Sequence, residues 1–135
     1  MVLTVGDFDR IEKLRNKFRQ RAGVHRKKLF ELKENGLAFV FNRLSINKIG
    51  CIKSIMNSIK NGFTPEDHFK AAERIKELFE HSIVIEQHYE TKKIRTETHY
   101  LCLSKTEDNV YVYMPVVTWG KGEGYIDLYL SKDGE

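Results

Sequence analysis

Glu86 and His88 stand two residues apart in one alternating stretch of this 135-residue chain, and Arg95 and His99 stand four apart in the next. A spacing of two on a strand points both side chains the same way, so Glu86 and His88 share a face. Cleaving RNA without metal requires a base for the 2′-hydroxyl, an acid for the leaving oxygen and a cation for the phosphate charge. One carboxylate, two imidazoles and one guanidinium supply those parts. Surface strands also carry such residues routinely. Strict alternation with Leu101 turned inward puts Arg95, Glu97 and His99 on the opposite side from Glu86 and His88, so the constellation needs a bulge or a strand end to re-aim one pair.

The other reactive residue types organise less chemistry. His68 and His81 flank the helix expected at 64–80 and fit capping or surface roles. There is no His-Glu-x-x-His, no paired Cys-x-x-Cys and no Asp-rich loop, which points away from a metal site, and no cofactor is expected. Cys51 and Cys102 lie far apart and read as two buried thiols. Gly120-Lys121-Gly122-Glu123-Gly124 leads into a strand rather than a helix and reads as a flexible hairpin loop, with Lys121 and Trp119 placed to touch a ligand.

Charge is divided along the chain. Residues 1–63 hold 14 Lys/Arg against 5 Asp/Glu, a net of +9, whereas residues 64–135 hold 9 against 14, a net of −5. The densest basic run is Arg26-Lys27-Lys28. It reads as a salt-dependent, sequence-blind phosphate contact, as a solvated helical face, or as a surface docked on the acidic half. Length and a 41% hydrophobic share describe a folded chain in which a basic helical segment (1–63) packs on or extends an α+β unit (64–135). No apolar run is long enough for a membrane helix. The first residues lack the pattern of a signal peptide, so the expected location is the cytoplasm.

These residues must be positioned by the elements around them. Asp7 is expected to cap a helix over about 8–21 with Phe8, Ile11, Leu14 and Phe18 on one stripe, and a second helical stretch is expected over about 25–34. The run 37–41 fits a buried strand or helical packing equally. Ser45 or Asn47 opens a further helix bearing Ile49, Ile52, Ile55, Met56 and Ile59. Thr64-Pro65-Glu66-Asp67 is a strong helix start for the stripe Phe69, Ala72, Ile75, Leu78 and Phe79. From Ser82 the period changes to two, and strands are expected at about 83–89, 94–103, 110–118 and 125–131. The fold class is therefore α+β: N-terminal helices, then one helix packed on a four-stranded antiparallel meander. With the aliphatic face covered, the open face displays Tyr100, Tyr111, Tyr113, Tyr125, Tyr129, Glu86, His88 and Asp127. Tyr100 and Tyr113 are then candidates for base stacking, worth about 1–3 kcal/mol per base. Ordinary strand propensity explains the same tyrosines.

From Asp67 to Lys132 the chain resembles the barnase–EndoU–colicin–RelE group of nuclease-like domains attached to polyvalent proteins of phages and mobile elements. The residues that carry the resemblance are Asp67-His68-Phe69, Ala72, Ile75, Glu77-Leu78-Phe79 and His81, then Thr98-His99-Tyr100, Asn109 to Tyr113 and Tyr125 to Leu128. It implies a helix on a four-stranded antiparallel sheet and a metal-independent, toxin-type endoribonuclease. His99 matches the strand histidine and His68 the helix histidine. The acidic balance of residues 64–135 departs from what an RNA-cleaving domain prefers. Two functions follow as expectations. One is RNA cleavage by His99, His88, Glu86 and Arg95, with Arg26, Lys27, Lys28, Tyr100, Tyr113 and Lys121 holding RNA. The other is a non-catalytic phage or mobile-element protein that binds a host or antitoxin protein, or a nucleic acid.

Overall fold

A computed structural model describes residues 3–134. Helix α1 spans Val5–Ala22 and buries Ile11, Phe18 and Ala22 along one stripe. Its N-cap is Thr4, and Asp7 sits at the third helical position, closing a capping box rather than serving as the cap itself.

The helix expected over 25–34 is instead a hairpin. A 3₁₀ turn at Gly23–His25 leads to β1 (Leu29–Leu32), which pairs antiparallel with β2 (Leu37–Val40). Gly36, with φ 64°, supplies the left-handed residue between them. Burial explains the outcome. Phe30, Leu37, Phe39 and Phe41 are buried, while Leu29, Glu31 and Val40 are exposed: a period of two. The Phe30 ring lies 5.5 Å from Phe39, 4.8 Å from Phe41 and 5.7 Å from Phe79. An extended backbone lets Phe30 meet Phe39, Phe41 and Phe79 at once.

Helix α2 (Arg43–Ile49) is capped by Asn42, whose side-chain oxygen accepts from the Leu44 N–H at 2.9 Å. The chain breaks at Gly50-Cys51 before α3 (Ile52–Lys60). The Thr64-Pro65 start forms as expected, with Thr64 and Asp67 in a capping box and Pro at the first turn. The stripe after it is nevertheless split into α4 (Pro65–Ala72) and α5 (Ile75–Glu80).

The main sheet contains β3 (Ile83–Thr91), β4 (Thr96–Lys105), β5 (Tyr111–Trp119), β6 (Glu123–Ile126) and β7 (Tyr129–Ser131), all pairing antiparallel. The order is β3-β4-β5, with β6 and β7 lying end to end along β5. The single strand expected at 125–131 is interrupted opposite Pro115. The Pro115 carbonyl accepts from the Asp127 N–H at 2.8 Å, and the N–H that would complete the exchange does not exist in proline. Helix hydroxyls take over the edge. Ser45 Oγ accepts from the Ile126 N–H at 3.1 Å, Ser58 Oγ accepts from the Leu130 N–H at 3.0 Å, and the Asn61 amide donates to the Leu130 carbonyl at 2.8 Å. These contacts satisfy an otherwise bare strand edge.

One cluster of buried side chains runs from Ile11 through the phenylalanines to Val112, Met114, Val116, Ile126, Leu128 and Leu130. Phe18 meets Phe69 at 5.6 Å, joining α1 to α4. Two ion pairs link the basic and acidic halves there, Arg10 with Glu66 at 3.3 Å and Arg21 with Glu73 at 2.6 Å. Among the described residues no helix is long and apolar enough to cross a membrane.

Candidate active site

The sheet face turned away from the helical core carries the site, and its composition corrects the alternation expected for β4. Tyr100 and Cys102 belong to the buried cluster, so Leu101 and Leu103 turn the other way, together with His99 and Glu97. Burial at Tyr100, only 9% exposed, removes it as a stacking platform. On β3 the register slips between Val84 and Glu86, leaving Ile85 as a bulge. The bulge resets the phase of the strand. Glu86, His88 and Glu90 then face the same side as Leu101, His99 and Glu97, their cross-strand partners.

His88 stands directly opposite His99, and the two rings stack at 4.9 Å with 16° between their planes. Beside them Glu90 stands opposite Glu97. His88 Nε2 lies 3.3 Å from Glu90 Oε1, and His99 Nε2 lies 3.2 Å from Glu90 Oε2 and 3.1 Å from Glu97 Oε1. A carboxylate only accepts, so in the neutral rings each Nε2 carries the hydrogen. Neither Nδ1 has a hydrogen-bond partner among the described residues. Two acids facing each other across a ladder repel, and the surrounding cations offset this. Arg95 donates to Glu97 Oε2 through Nε at 3.0 Å and lies 2.9 Å from it through a terminal nitrogen. That pairing, followed by the His99 contact, holds the Glu97 carboxyl below its ordinary range against the cost of burial. Lys92, at 3.0 Å, and then His88 do the same for Glu90.

An aromatic and cationic strip continues from this cluster. The Arg95 guanidinium lies 3.7 Å over the Trp119 ring, Trp119 meets Tyr125 edge-on at 6.2 Å, and Lys48 of α2 sits 4.9 Å over Tyr125. Tyr113 is on this face, as expected, but it is only 8% exposed and stacks at 5.1 Å on Tyr129, with its hydroxyl donating to the Asp133 carbonyl. Its ring face is occupied by Tyr129 rather than presented to a base. Glu86 is exposed on the same face as His88, and Lys121 is exposed in the turn after Trp119.

The structure thus brings His88, His99 and Arg95 together and adds Glu90 and Glu97, which were not among the expected catalytic residues. A signal for them exists. Around the β3–β4 turn the chain reads His88-x-Glu90 and then, in mirror order, Glu97-x-His99. Folding such a segment into a hairpin sets like residue against like. It also builds a cluster that no linear metal motif announces. His88, Glu90 and His99 offer ligand atoms that all lie within 4.8 Å of one another, assembled across two strands.

Arg26, Lys27 and Lys28 are not on a helix. They form the exposed turn into β1, with Lys27 at φ 67°. Arg26 lines a cavity of about 450 Å³ with Arg19, Gly23, Arg43, Ile46 and Asn47. Among the described residues no side chain of Arg19, Arg26 or Arg43 has a hydrogen-bond or ion-pair partner. The basic half is therefore only partly neutralised by the acidic half.

His68 is a core residue rather than a cap. Fully buried, it donates from Nε2 to the Ile49 carbonyl at 2.8 Å, and its Nδ1 accepts from the Ser58 hydroxyl at 2.8 Å. His81 at the end of α5 donates from Nδ1 to the Glu77 carbonyl at 2.9 Å, a helix-end role as expected. Cys51 is half-buried rather than buried, and burial pushes the Cys102 thiol up to about 11, where it is inert. No family model, curated protein or solved structure matches the chain.

Proposed function

We propose that the open face of the sheet cleaves RNA by metal-independent acid–base catalysis, as a toxin-type endoribonuclease of the kind the sequence resembles. The observation that carries this reading is the pair of stacked imidazoles, each held at Nε2 by a glutamate and without a hydrogen-bond partner at Nδ1 among the described residues. A carboxylate behind an imidazole orients the ring and stabilises the cation formed when the far nitrogen takes a proton. One Nδ1 removes the proton from the 2′-hydroxyl, and the protonated partner ring delivers one to the departing 5′-oxygen. The 2′-oxygen–phosphorus bond forms as the phosphorus–5′-oxygen bond breaks, leaving a 2′,3′-cyclic phosphate and a 5′-hydroxyl. Arg95 and Lys92 border the site and supply positive charge for the phosphoryl oxygens.

A second reading draws on the arginine-lined cavity. Arg19, Arg26 and Arg43 are arranged to hold an anion without any catalytic group beside them, which suits a protein that binds nucleic acid stoichiometrically. Incubating purified protein with total RNA in EDTA separates the two. Cleavage that yields cyclic phosphate ends and is abolished in both His88→Ala and His99→Ala supports catalysis at the paired imidazoles. Retained cleavage in either variant removes that histidine from the mechanism, and no cleavage by folded protein leaves the binding reading.

A further inference from the structure

We infer that His88, Glu90 and His99 bind one borderline divalent transition-metal ion of the zinc type, and that its occupancy silences the acid–base chemistry of the same face. The geometry points to it first. Zinc held tetrahedrally at about 2.0–2.1 Å from each ligand places neighbouring ligand atoms about 3.3 Å apart. His88 Nε2 to Glu90 Oε1 is 3.3 Å, His99 Nε2 to Glu90 Oε2 is 3.2 Å, and His99 Nε2 to Glu97 Oε1 is 3.1 Å. The first two spacings run to the two oxygens of Glu90, which thus bridges the imidazoles; with one ligand atom from each residue the three lie within 4.8 Å of one another, and the third spacing brings Glu97 within reach as a fourth. The donor set selects the class of ion, because imidazole nitrogen favours zinc and its neighbours over magnesium or calcium, which take oxygen.

Two further features fit. Arg95 fixes Glu97 through Oε2 and leaves Oε1 directed at His99, while Lys92 holds Glu90 at Oε2. Outer partners of this kind orient ligands in metal sites. The ligands are also accessible, with His88 60% and Glu90 40% exposed at the side chain, so an ion enters without any opening of the fold.

The consequence for catalysis follows from the tautomer. A metal on Nε2 takes that lone pair, and the ring hydrogen then resides on Nδ1. The nitrogen proposed as the base becomes a donor, and both imidazoles are lost to proton transfer at once. This regulatory part rests on the cleavage reading; the metal-binding part does not.

Calorimetry with Zn²⁺ on the chelator-stripped full chain, with Co²⁺ absorption as a report of tetrahedral coordination, tests the site without reference to activity. One ion per chain is expected, with affinity reduced about tenfold or more in His88→Ala, His99→Ala and the near-isosteric Glu90→Gln, and retained in His81→Ala. Wild-type protein that takes up no Zn²⁺, or a Glu90→Gln variant of unchanged affinity, overturns the site. The RNA assay then separates the two proposals. Cleavage in EDTA that stops on adding stoichiometric Zn²⁺ supports both. Zn²⁺ uptake with no cleavage under any condition keeps the site and removes the cleavage reading. Cleavage that proceeds with the site demonstrably filled removes the regulation.

Discussion

Acidification is expected to destabilise this protein through His68. The side chain is fully buried with both ring nitrogens engaged: the Ile49 carbonyl requires a hydrogen on Nε2, and the Ser58 hydroxyl gives its hydrogen to Nδ1 while its oxygen accepts from the Leu130 N–H. Burial lowers the pKa from 6.5 to about 4, outweighing the opposing Ile49 hydrogen bond. The unfolded chain therefore binds a proton near pH 6.5 that the folded chain refuses until about 4. Stability from this group is complete above the unfolded pKa, falls as the pH drops, and is exhausted once the folded pKa is passed. At about 1.4 kcal/mol per pH unit the interval amounts to roughly 3 kcal/mol, a large share of the about 5–15 kcal/mol typical of a domain. His25, lowered chiefly by burial, acts in the same sense, and Asp127, raised by burial, in the opposite one. Glu90 and Glu97, held below their ordinary 4.5, act mostly beneath this window. Urea unfolding at a series of pH values, on wild type and His68→Gln, isolates the contribution, with the His68 titration followed by NMR. The variant is expected to be less stable at neutral pH but to lose about 3 kcal/mol less on acidification. A His68 midpoint near 6.5 in the folded protein, or a variant whose stability falls as steeply as wild type, would refute the argument.

Two further outcomes test other parts of the structure. A Cβ at Gly124 would lie 2.5 Å from the Val117 carbonyl oxygen and 3.1 Å from Phe39 Cβ, with backbone on one side and core on the other. Gly124→Ala is therefore expected to lower stability by about 1–3 kcal/mol, and an unchanged denaturation midpoint would contradict the close approach of β2, β5 and β6. Replacing Arg19, Arg26 and Arg43 together with Ala is expected to weaken RNA binding uniformly across sequences and to reduce the salt dependence by about one unit of slope for each phosphate no longer neutralised. Unchanged affinity and slope in filter binding would show that RNA does not use the cavity.

Local physics made part of this protein legible in its sequence. The Thr64-Pro65-Asp67 helix start forms because a cap, a preset φ and a reciprocal hydrogen bond all lie within one turn. Val112, Met114 and Val116 declare the buried face of β5 by alternation alone, and an antiparallel sheet followed from the short connections. Distant partners decided the rest. The chain around Phe30 carries residues that suit a helix, yet it extends because Phe39, Phe41 and Phe79 wait on one side. Pro115 splits a strand twelve residues further along by withholding one N–H. His68 looks like a first-turn surface residue until Ser58 and the Ile49 carbonyl enclose it. The site shows the division most plainly. Alternation and a short connection were enough to place Glu86 and His88 on one strand and His99 on the next, whereas Arg95, expected on that second strand, lies in the turn just before it begins at Thr96. Whether they meet turned on the bulge at Ile85 and on which face of β4 the helices cover, because one residue of register sends every side chain of a strand to the other side.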